Sequence, residues 1–316
     1  MLKKILSLAL SVMLLAFTGC QKTTSKTAIY FDTVVTLKAE GEIPKEAFSM
    51  LEKYDKLFSA TNKNSELYKL NTSGELVVDS ELASVIEKSL EYSGISGGSF
   101  DITVKPLKDL WGFSANPKVP TKAQIKTALQ KVDYKAIEID GNKVKLNDRQ
   151  IDLGGIAKGY IADKLAELYI KNDIDGIINL GGNIMLPTLQ KKPYKIGITD
   201  PNNTDEIIAT VSVNSGAVVT SGTYERNFTE NGKTYHHILD TKSGYPVKSG
   251  IASATVLSPS ATSADALSTI LICFGENEGL KLINSLDNTE AILVTDSGEI
   301  KLSNGLIKEN KTIKYK

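Results

Sequence analysis

Cysteine and histidine are nearly absent from this chain, with two of each among 316 residues. The histidines, His236 and His237, are adjacent, and neighbours on a strand point to opposite faces, so the pair does not readily serve one metal. Of the cysteines, Cys20 closes a distinct N-terminal segment, while Cys273 lies in an apolar helix pattern and reads as a core residue. An excess of either charge is also missing. Lys+Arg and Asp+Glu stand at 37 each with no basic block or stripe, which argues against nucleic acid as a partner. The apolar run from Ile5 to Phe17 is too short for a comfortable membrane span. No internal repeat is visible, and neither a Walker A loop nor a G-x-G-x-x-G fingerprint occurs. What remains is enough chain for one large domain or two small ones.

The N-terminus carries its own pattern. Lys3-Lys4 precede the apolar run, which ends in Phe17-Thr18-Gly19-Cys20. That order has the build of a secretory signal and resembles a bacterial lipobox, in which a small residue precedes a Cys that is lipid-modified after cleavage. The expectation is a signal peptide over 1–19, a lipidated Cys20, a polar tether over 20–27 and a single domain over 28–316. Such a protein sits on the extracytoplasmic face of the cell membrane and touches the membrane through its lipid anchor only. An ordinary secreted protein cut near Gly19 is the alternative.

Beyond the tether, Ile29 to Ala39 alternates as a strand does. Helical spacing follows over Pro44–Leu57, Glu66–Asn71 and Ser80–Tyr92, with Thr121 capping another helix. Ala136–Asp140 and Lys143–Leu146 flank Gly141-Asn142 as a β-hairpin. Gly176–Leu180, Tyr194–Thr199, Glu206–Val213, Ala217–Ser221, Gly232–Asp240, Ile251–Leu257 and Ala291–Thr295 are strand candidates. Ser263–Phe274 reads as a buried helix and Glu278–Ser285 as a further element. Strands and helices in mixed order, with hairpins, predict an α+β fold.

Three stretches carry chemistry. Gln150 to Leu153 reads as the end of a strand. Gly154-Gly155 then leads into a helix with Ile156, Tyr160, Ile161, Leu165 and Leu168 on one side. A helix start with Lys158 in its first turn is an anion seat, although a Gly pair serves close packing equally well. Asp265 and Thr269 share a helix face and offer hard oxygen ligands suited to Mg²⁺; an Asp near a helix start also stabilises the helix dipole. His237 is a candidate general base, which Asp240 could orient if the turn at Lys242-Ser243-Gly244 folds back. Arg226, shortly before it, suits phosphate by geometry or pairs with Glu225 on the surface.

Read in order, Phe58-Ser59, Ser65-Glu66-Leu67, Gly98-Ser99-Phe100-Asp101, Trp111-Gly112-Phe113, Asp152-Leu153-Gly154-Gly155-Ile156-Ala157-Lys158-Gly159-Tyr160, Asn179-Leu180-Gly181-Gly182-Asn183, Ser221-Gly222, Tyr224-Glu225-Arg226, His237-Ile238-Leu239-Asp240, Gly244-Tyr245-Pro246 and Ala264-Asp265-Ala266-Leu267-Ser268-Thr269 resemble the ApbE family of FAD:protein FMN transferases. The resemblance spans essentially the whole chain after the N-terminal segment. It implies mixed, largely antiparallel sheets packed with helices, and an FAD site between two lobes with Mg²⁺ at the pyrophosphate. FAD is then a substrate, whose FMN half moves to a Thr or Ser hydroxyl of an extracytoplasmic electron-transfer protein with release of AMP. The implied metal ligands are Asp265, Thr269 and the carbonyl of Ala157. Implied FAD contacts are Phe31, Ser99, Phe100, Asp101, Gly154, Tyr160 and Leu239, beside Lys158 of the anion seat. His237 and Asp265 are the expected catalytic residues. The partner would bear an Asp-x-x-(Ser/Thr)-(Gly/Ala/Ser)-Ala-(Ser/Thr) pattern, which this chain lacks. An FAD pyrophosphatase and a non-catalytic FAD-binding lipoprotein are the other readings.

Overall fold

The structure is a computed structural model and describes residues 23–187 and 193–316. The signal segment and Cys20 lie outside the described residues. A hairpin of β1 (Thr23–Tyr30) and β2 (Thr33–Glu40) opens the fold, followed by α1 (Glu46–Phe58), α2 (Glu66–Ser73), β3 (Glu75–Val77) and α3 (Ser80–Ile95). Next come α4 (Lys105–Trp111), α5 (Lys122–Leu129), β4 (Glu138–Asp140), β5 (Lys143–Lys145) and α6 (Ala157–Lys171). Five strands follow: β6 (Gly176–Leu180), β7 (Asn183–Leu186), β8 (Tyr194–Asp200), β9 (Asn203–Val213) and β10 (Gly216–Gly222). A small hairpin, β11 (Asn227–Glu230) and β12 (Lys233–His236), precedes β13 (Ile251–Ser258) and α7 (Ala261–Ile283). The chain ends with β14 (Glu290–Thr295), β15 (Ile300–Leu302), β16 (Leu306–Glu309) and β17 (Thr312–Tyr315).

Eight strands form the main sheet in the order β1-β2-β6-β7-β10-β13-β14-β15, and β16-β17-β9-β8 form a second. Among the described residues the strands pair antiparallel except β9 with β17, which bears out the expected α+β class. Alternation along the central strands explains the layering. Ile178, Val219, Val256 and Leu293 face a core shared with Leu165, Leu267 and Ile270 of α6 and α7. Their neighbours Ile177, Val218, Leu257 and Ile292 face Ile196, Val211 and Ile313 of the second sheet. The main sheet is thus covered on both faces, and β13 is buried along its whole length.

Four expectations change. The single strand over Ile29–Ala39 is a hairpin, turning at Phe31 and Asp32 with φ of 54° and 56°. Its first strand takes up Thr23–Thr27, part of the expected tether, in register with Thr36–Glu40. Gln150–Leu153 is not a strand. The Asn71 side chain stands in for a neighbouring strand, accepting the Ile151 amide at 2.7 Å and donating to the Ile151 carbonyl at 2.9 Å. The strand over Gly232–Asp240 stops at His236. Finally, α7 continues through both segments expected near Ser263 and Glu278, broken only at Gly275 with φ 77° and ψ −173°.

Helices α6 and α7 pack closely. A Cβ on Gly159 would lie 2.2 Å from the Ala261 carbonyl oxygen, so only glycine fits there. The two helices also cap one another. Ile156, at the N-cap of α6, has no side chain that can serve, and Asp265 of α7 accepts the Gly159 amide at 2.9 Å instead. In return Asp163 of α6 accepts the Ala261 amide at 2.7 Å and the Thr262 amide at 2.9 Å at the start of α7. Gly159→Ala should therefore lower the free energy of unfolding by about 1–3 kcal/mol, the usual cost of overpacking. Urea denaturation measures this; an unchanged midpoint would show that the helices can separate freely.

Candidate functional site

Asp265 sits one turn into α7 and is 3% exposed. Burial pushes its carboxyl up, against the opposing pull of Lys158, the Gly159 amide and the Asn183 amide. Lys158 does not pair with it directly but donates to Asn183 Oδ1 at 3.1 Å. Thr269 follows one turn along α7, and Ser221 at the end of β10 lies 2.8 Å from Ser268 Oγ and 3.4 Å from Thr269 Oγ1. Ala157, whose carbonyl is the third expected ligand, opens α6 two residues before Gly159. A Cβ on Gly155 would meet the Phe100 ring at 3.0 Å and Thr269 Oγ1 at 3.7 Å, so the Gly pair brings bare backbone into this corner.

A carboxylate this deeply buried is costly unless paired or metal-bound, and a carboxylate, a hydroxyl and a carbonyl form a hard donor set. The residues therefore fit a Mg²⁺-type cation. Among the described residues no three His, Cys, Asp or Glu side chains converge on one point. Such a donor set would supply only part of a coordination shell.

The start of α6 differs from the open anion seat expected. The Ile156 and Ala157 amides both donate to the Leu153 carbonyl, at 3.1 and 2.9 Å, and the Gly159 amide is held by Asp265. The anion at this helix start is the protein's own carboxylate. Positive charge for an outside anion comes from side chains. Lys158 and Arg226 both act on Glu225, and Arg226 and Lys108 both act on His237. Lys108 was not singled out from the sequence. It is ion-paired with Asp152, whose Oδ1 also accepts the Gly154 amide at 2.9 Å. Burial raises the Asp152 carboxyl, but the Lys108 charge outweighs it and holds the group below the usual carboxylate range. No periodicity marks Lys108; its role depends on a partner 44 residues away.

The other wall comes from residues 98–104 and 236–247. Thr241 Oγ1 donates to the Gly98 carbonyl at 2.7 Å and ties the two segments together. Leu239 bridges to Pro246 through bonds of its neighbours, Val247 N–H to Ile238 C=O and Asp240 N–H to Tyr245 C=O. Its own N–H and C=O therefore point the opposite way. The side chain is 5% exposed and packs with Leu107, Trp111 and Ile125. Trp111 Nε1 donates to the Gly244 carbonyl at 2.8 Å and braces the loop.

Several expected contacts have other duties. Asp101 accepts Thr103 N–H at 2.8 Å, Thr103 Oγ1 at 2.6 Å and Tyr134 N–H at 3.0 Å, so its carboxylate shapes its own loop. Tyr160 packs edge-on to Tyr54 and Phe58 in the core, and its hydroxyl donates to Glu81 at 3.3 Å. Asp240 does not orient His237. Its carboxylate accepts Lys242 N–H at 2.9 Å and Ser243 Oγ at 2.8 Å within the turn. Cys273 is half-buried and lines an open cleft of ≈ 1390 Å³ with Ser99, His236 and Asp240, and burial pushes its thiol up to about 12. Phe31 holds a left-handed turn conformation unusual for a bulky residue. Beyond it, Thr33 lies where a Cβ on Gly181 would meet its Oγ1 at 2.0 Å, which sets the β1–β2 turn against the β6–β7 turn.

The two histidines have different surroundings, although the strand ends at His236. His236 Nε2 lies 3.0 Å from the Val247 carbonyl, while the half-buried His237 has an Nδ1 with no hydrogen-bond partner. Burial, then the charges of Arg226 and Lys108, push His237 down to about 3. A folded-state value below the ordinary one of about 6.5 means that the folded form resists the proton. Its contribution to stability is complete above that value and is lost as pH falls from about 6.5 toward 3. The ligand-free His237 ring should remain neutral from pH 8 to pH 5 in NMR titration, and His237→Asn should lose less stability than the parent protein between pH 7 and 5.

The comparisons with known proteins agree with this geometry. The family model described as ApbE family matches residues 31–293. The FAD:protein FMN transferase of Treponema pallidum is 31% identical over 288 residues, covering 83% of this chain and 80% of the relative. That of Haemophilus influenzae is 29% identical and covers 98% of both chains. Among solved structures, the ApbE protein of Thermotoga maritima superposes with a TM-score of 0.84 at 31% identity, covering 90% of this chain and 97% of that one. A histidine-to-glycine variant of the flavin transferase ApbE from Vibrio cholerae gives 0.77 at 27% identity, covering 90% and 98%. With the family model spanning most of its length and its fold matched along with its sequence, this chain belongs to the ApbE family.

Proposed function

We propose that this protein is an FAD:protein FMN transferase that moves the FMN half of FAD onto a Thr or Ser hydroxyl of an acceptor protein and releases AMP. The observation that carries the reading is the buried Asp265 carboxylate, set beside the Ser221, Ser268 and Thr269 hydroxyls and the bare Gly154-Gly155 backbone. Asp265, Thr269 and the Ala157 carbonyl would hold Mg²⁺, which when bound neutralises phosphate charge and polarises the reacting phosphoryl group. Lys158 and Arg226 bind the remaining diphosphate oxygens. The N–H and C=O of Leu239 offer a donor and an acceptor to a flat heterocycle, and Ser99 and Phe100 lie on the same wall.

In the reaction the acceptor hydroxyl oxygen bonds to the phosphorus of the FMN half as the bond to the AMP oxygen breaks. His237 takes the hydroxyl proton, and AMP leaves as its phosphate anion. Phosphoryl-type transfer depends on positioning and charge neutralisation more than on a covalent intermediate. In the free protein His237 is a poor base, because burial, and then the charges of Arg226 and Lys108, disfavour its protonated form. A bound diphosphate offsets both charges and raises its basicity. We place the enzyme on the extracytoplasmic face of the cell membrane, anchored through a lipidated Cys20, and its partner is an electron-transfer protein bearing the acceptor pattern.

Incubation with FAD, Mg²⁺ and a peptide of that pattern should yield the FMN mass increment on the peptide and one AMP per transfer. AMP formed equally without peptide would identify a pyrophosphatase instead. His237→Ala should keep FAD affinity and slow single-turnover transfer by about 10²–10⁴-fold, the range for a lost general base; weakened affinity with an unchanged rate at saturation would make it a binding residue. Cys20→Ala should shift the protein from the membrane to the soluble fraction, and continued membrane retention after signal cleavage would overturn the anchor.

A further inference from the structure

Lys108 is the cation at this site that neither its sequence context nor the Asp265–Thr269 pair accounts for. It lies in the last turn of α4 and crosses to Asp152, just before the Gly pair. A Cβ on Gly154 would stand 3.4 Å from its Nζ, so the ammonium lies over the Gly154 backbone, which is exposed. Asp152 Oδ1 is its hydrogen-bond acceptor. An ammonium has three donors, which leaves N–H groups for something outside the protein. Its charge also reaches His237. The position is fixed from two sides: α4 is braced by Trp111, and Asp152 is fixed by the Gly154 amide and by its own amide, which donates to the Ile102 carbonyl at 2.8 Å.

We infer that Lys108 is a substrate-binding residue that donates to a phosphate oxygen of the diphosphate donor from the side opposite Asp265. The inference rests on the transferase reading, because it takes the Gly154-Gly155 corner as the diphosphate seat. Asp152 has two effects here. It neutralises the ammonium while the site is empty, so that a half-buried charge is not left alone, and it aims the remaining donors across the glycines. Gly154 must be bare for this, since a side chain would occupy the space between the ammonium and the phosphate. The Lys108–Asp152 pair is thus a preformed half of an anion site, completed when a phosphate arrives.

The rival is an ion pair that only pins α4 to the loop at Asp152. FAD and riboflavin, which share the flavin ring and differ in the diphosphate, separate the two. Flavin fluorescence titrations with Mg²⁺ should show Lys108→Met weakening FAD by about tenfold to a hundredfold, the range for one charge-assisted hydrogen bond, with riboflavin binding unchanged. Lys108→Arg should recover a substantial part of the FAD affinity, and rising ionic strength should weaken FAD binding less in Lys108→Met than in the parent. Equal loss of both ligands, or FAD affinity within twofold of the parent in a normally folded Lys108→Met protein, would overturn the assignment and leave the transferase reading standing. Failure of the parent protein to bind FAD more tightly than riboflavin would overturn both. Melting curves of the variants distinguish a lost contact from a lost fold.

Discussion

The carboxylate of Asp265, buried against the Gly159 amide, is the constraint on which the rest depends. A charge with so little exposure is tolerable only where fixed dipoles or a cation meet it. The start of α6 supplies the dipole, because its N-cap residue Ile156 has no side chain to fill that role. Contact at 2.9 Å requires the two helices to approach until a Cβ at position 159 would overlap the Ala261 carbonyl. Asp163 returns the arrangement at the start of α7. Each helix end is satisfied by a carboxylate from the other, so the position of Asp265 is set by backbone packing in the core and not by a loop. Sites built on such elements hold their geometry better than sites on loops.

The main sheet carries the same precision outward. Its two faces are both covered, so its strands cannot shift without exposing apolar surface on one side or the other. The ends of two strands then deliver polar groups to α6 and α7, Ser221 from β10 and Asn183 from β7, while the β1–β2 turn packs through Thr33 against Gly181 of the β6–β7 turn. The opposite wall has less regular structure. It is held by Trp111, by the Leu239–Pro246 bridge and by the Thr241–Gly98 bond. The site therefore has a rigid side, which carries Asp265, Thr269 and Ser221, and a side made of braced loops, where His237 resides.

Local signals carried much of this into the sequence. The Gly154-Gly155 pair, the i, i+4 spacing of Asp265 and Thr269, and the apolar run of β13 were all readable, because each follows from a short-range period or from the conformational freedom of glycine. Two of the misreadings originate in contacts between distant residues and one in a local turn. Ile151 looks like the end of a strand until Asn71, 80 residues earlier, occupies its hydrogen bonds. Tyr160 sits in the motif yet turns to Tyr54 and Glu81, since helix periodicity alone does not say which apolar neighbour receives a ring. Asp240 lies close enough in sequence to serve His237, but the turn it caps consumes both oxygens. Lys108 left no trace at all, because a lone lysine on a short helix has no pattern.

The electrostatics of His237 then acquire a meaning that its sequence position lacks. In the empty site its ring is held neutral by burial and by two nearby cations, Arg226 and Lys108. Those are groups that a diphosphate would engage on the reading proposed here. Neutralising them removes part of what opposes the imidazolium, while burial continues to disfavour it. On that reading the base becomes competent as the donor binds. A ring that stays unprotonated without substrate also keeps its lone pair ready for the acceptor hydroxyl. On that reading the cations that would bind the donor and the histidine that would receive the proton form one coupled electrostatic unit, and the donor binds before the proton moves.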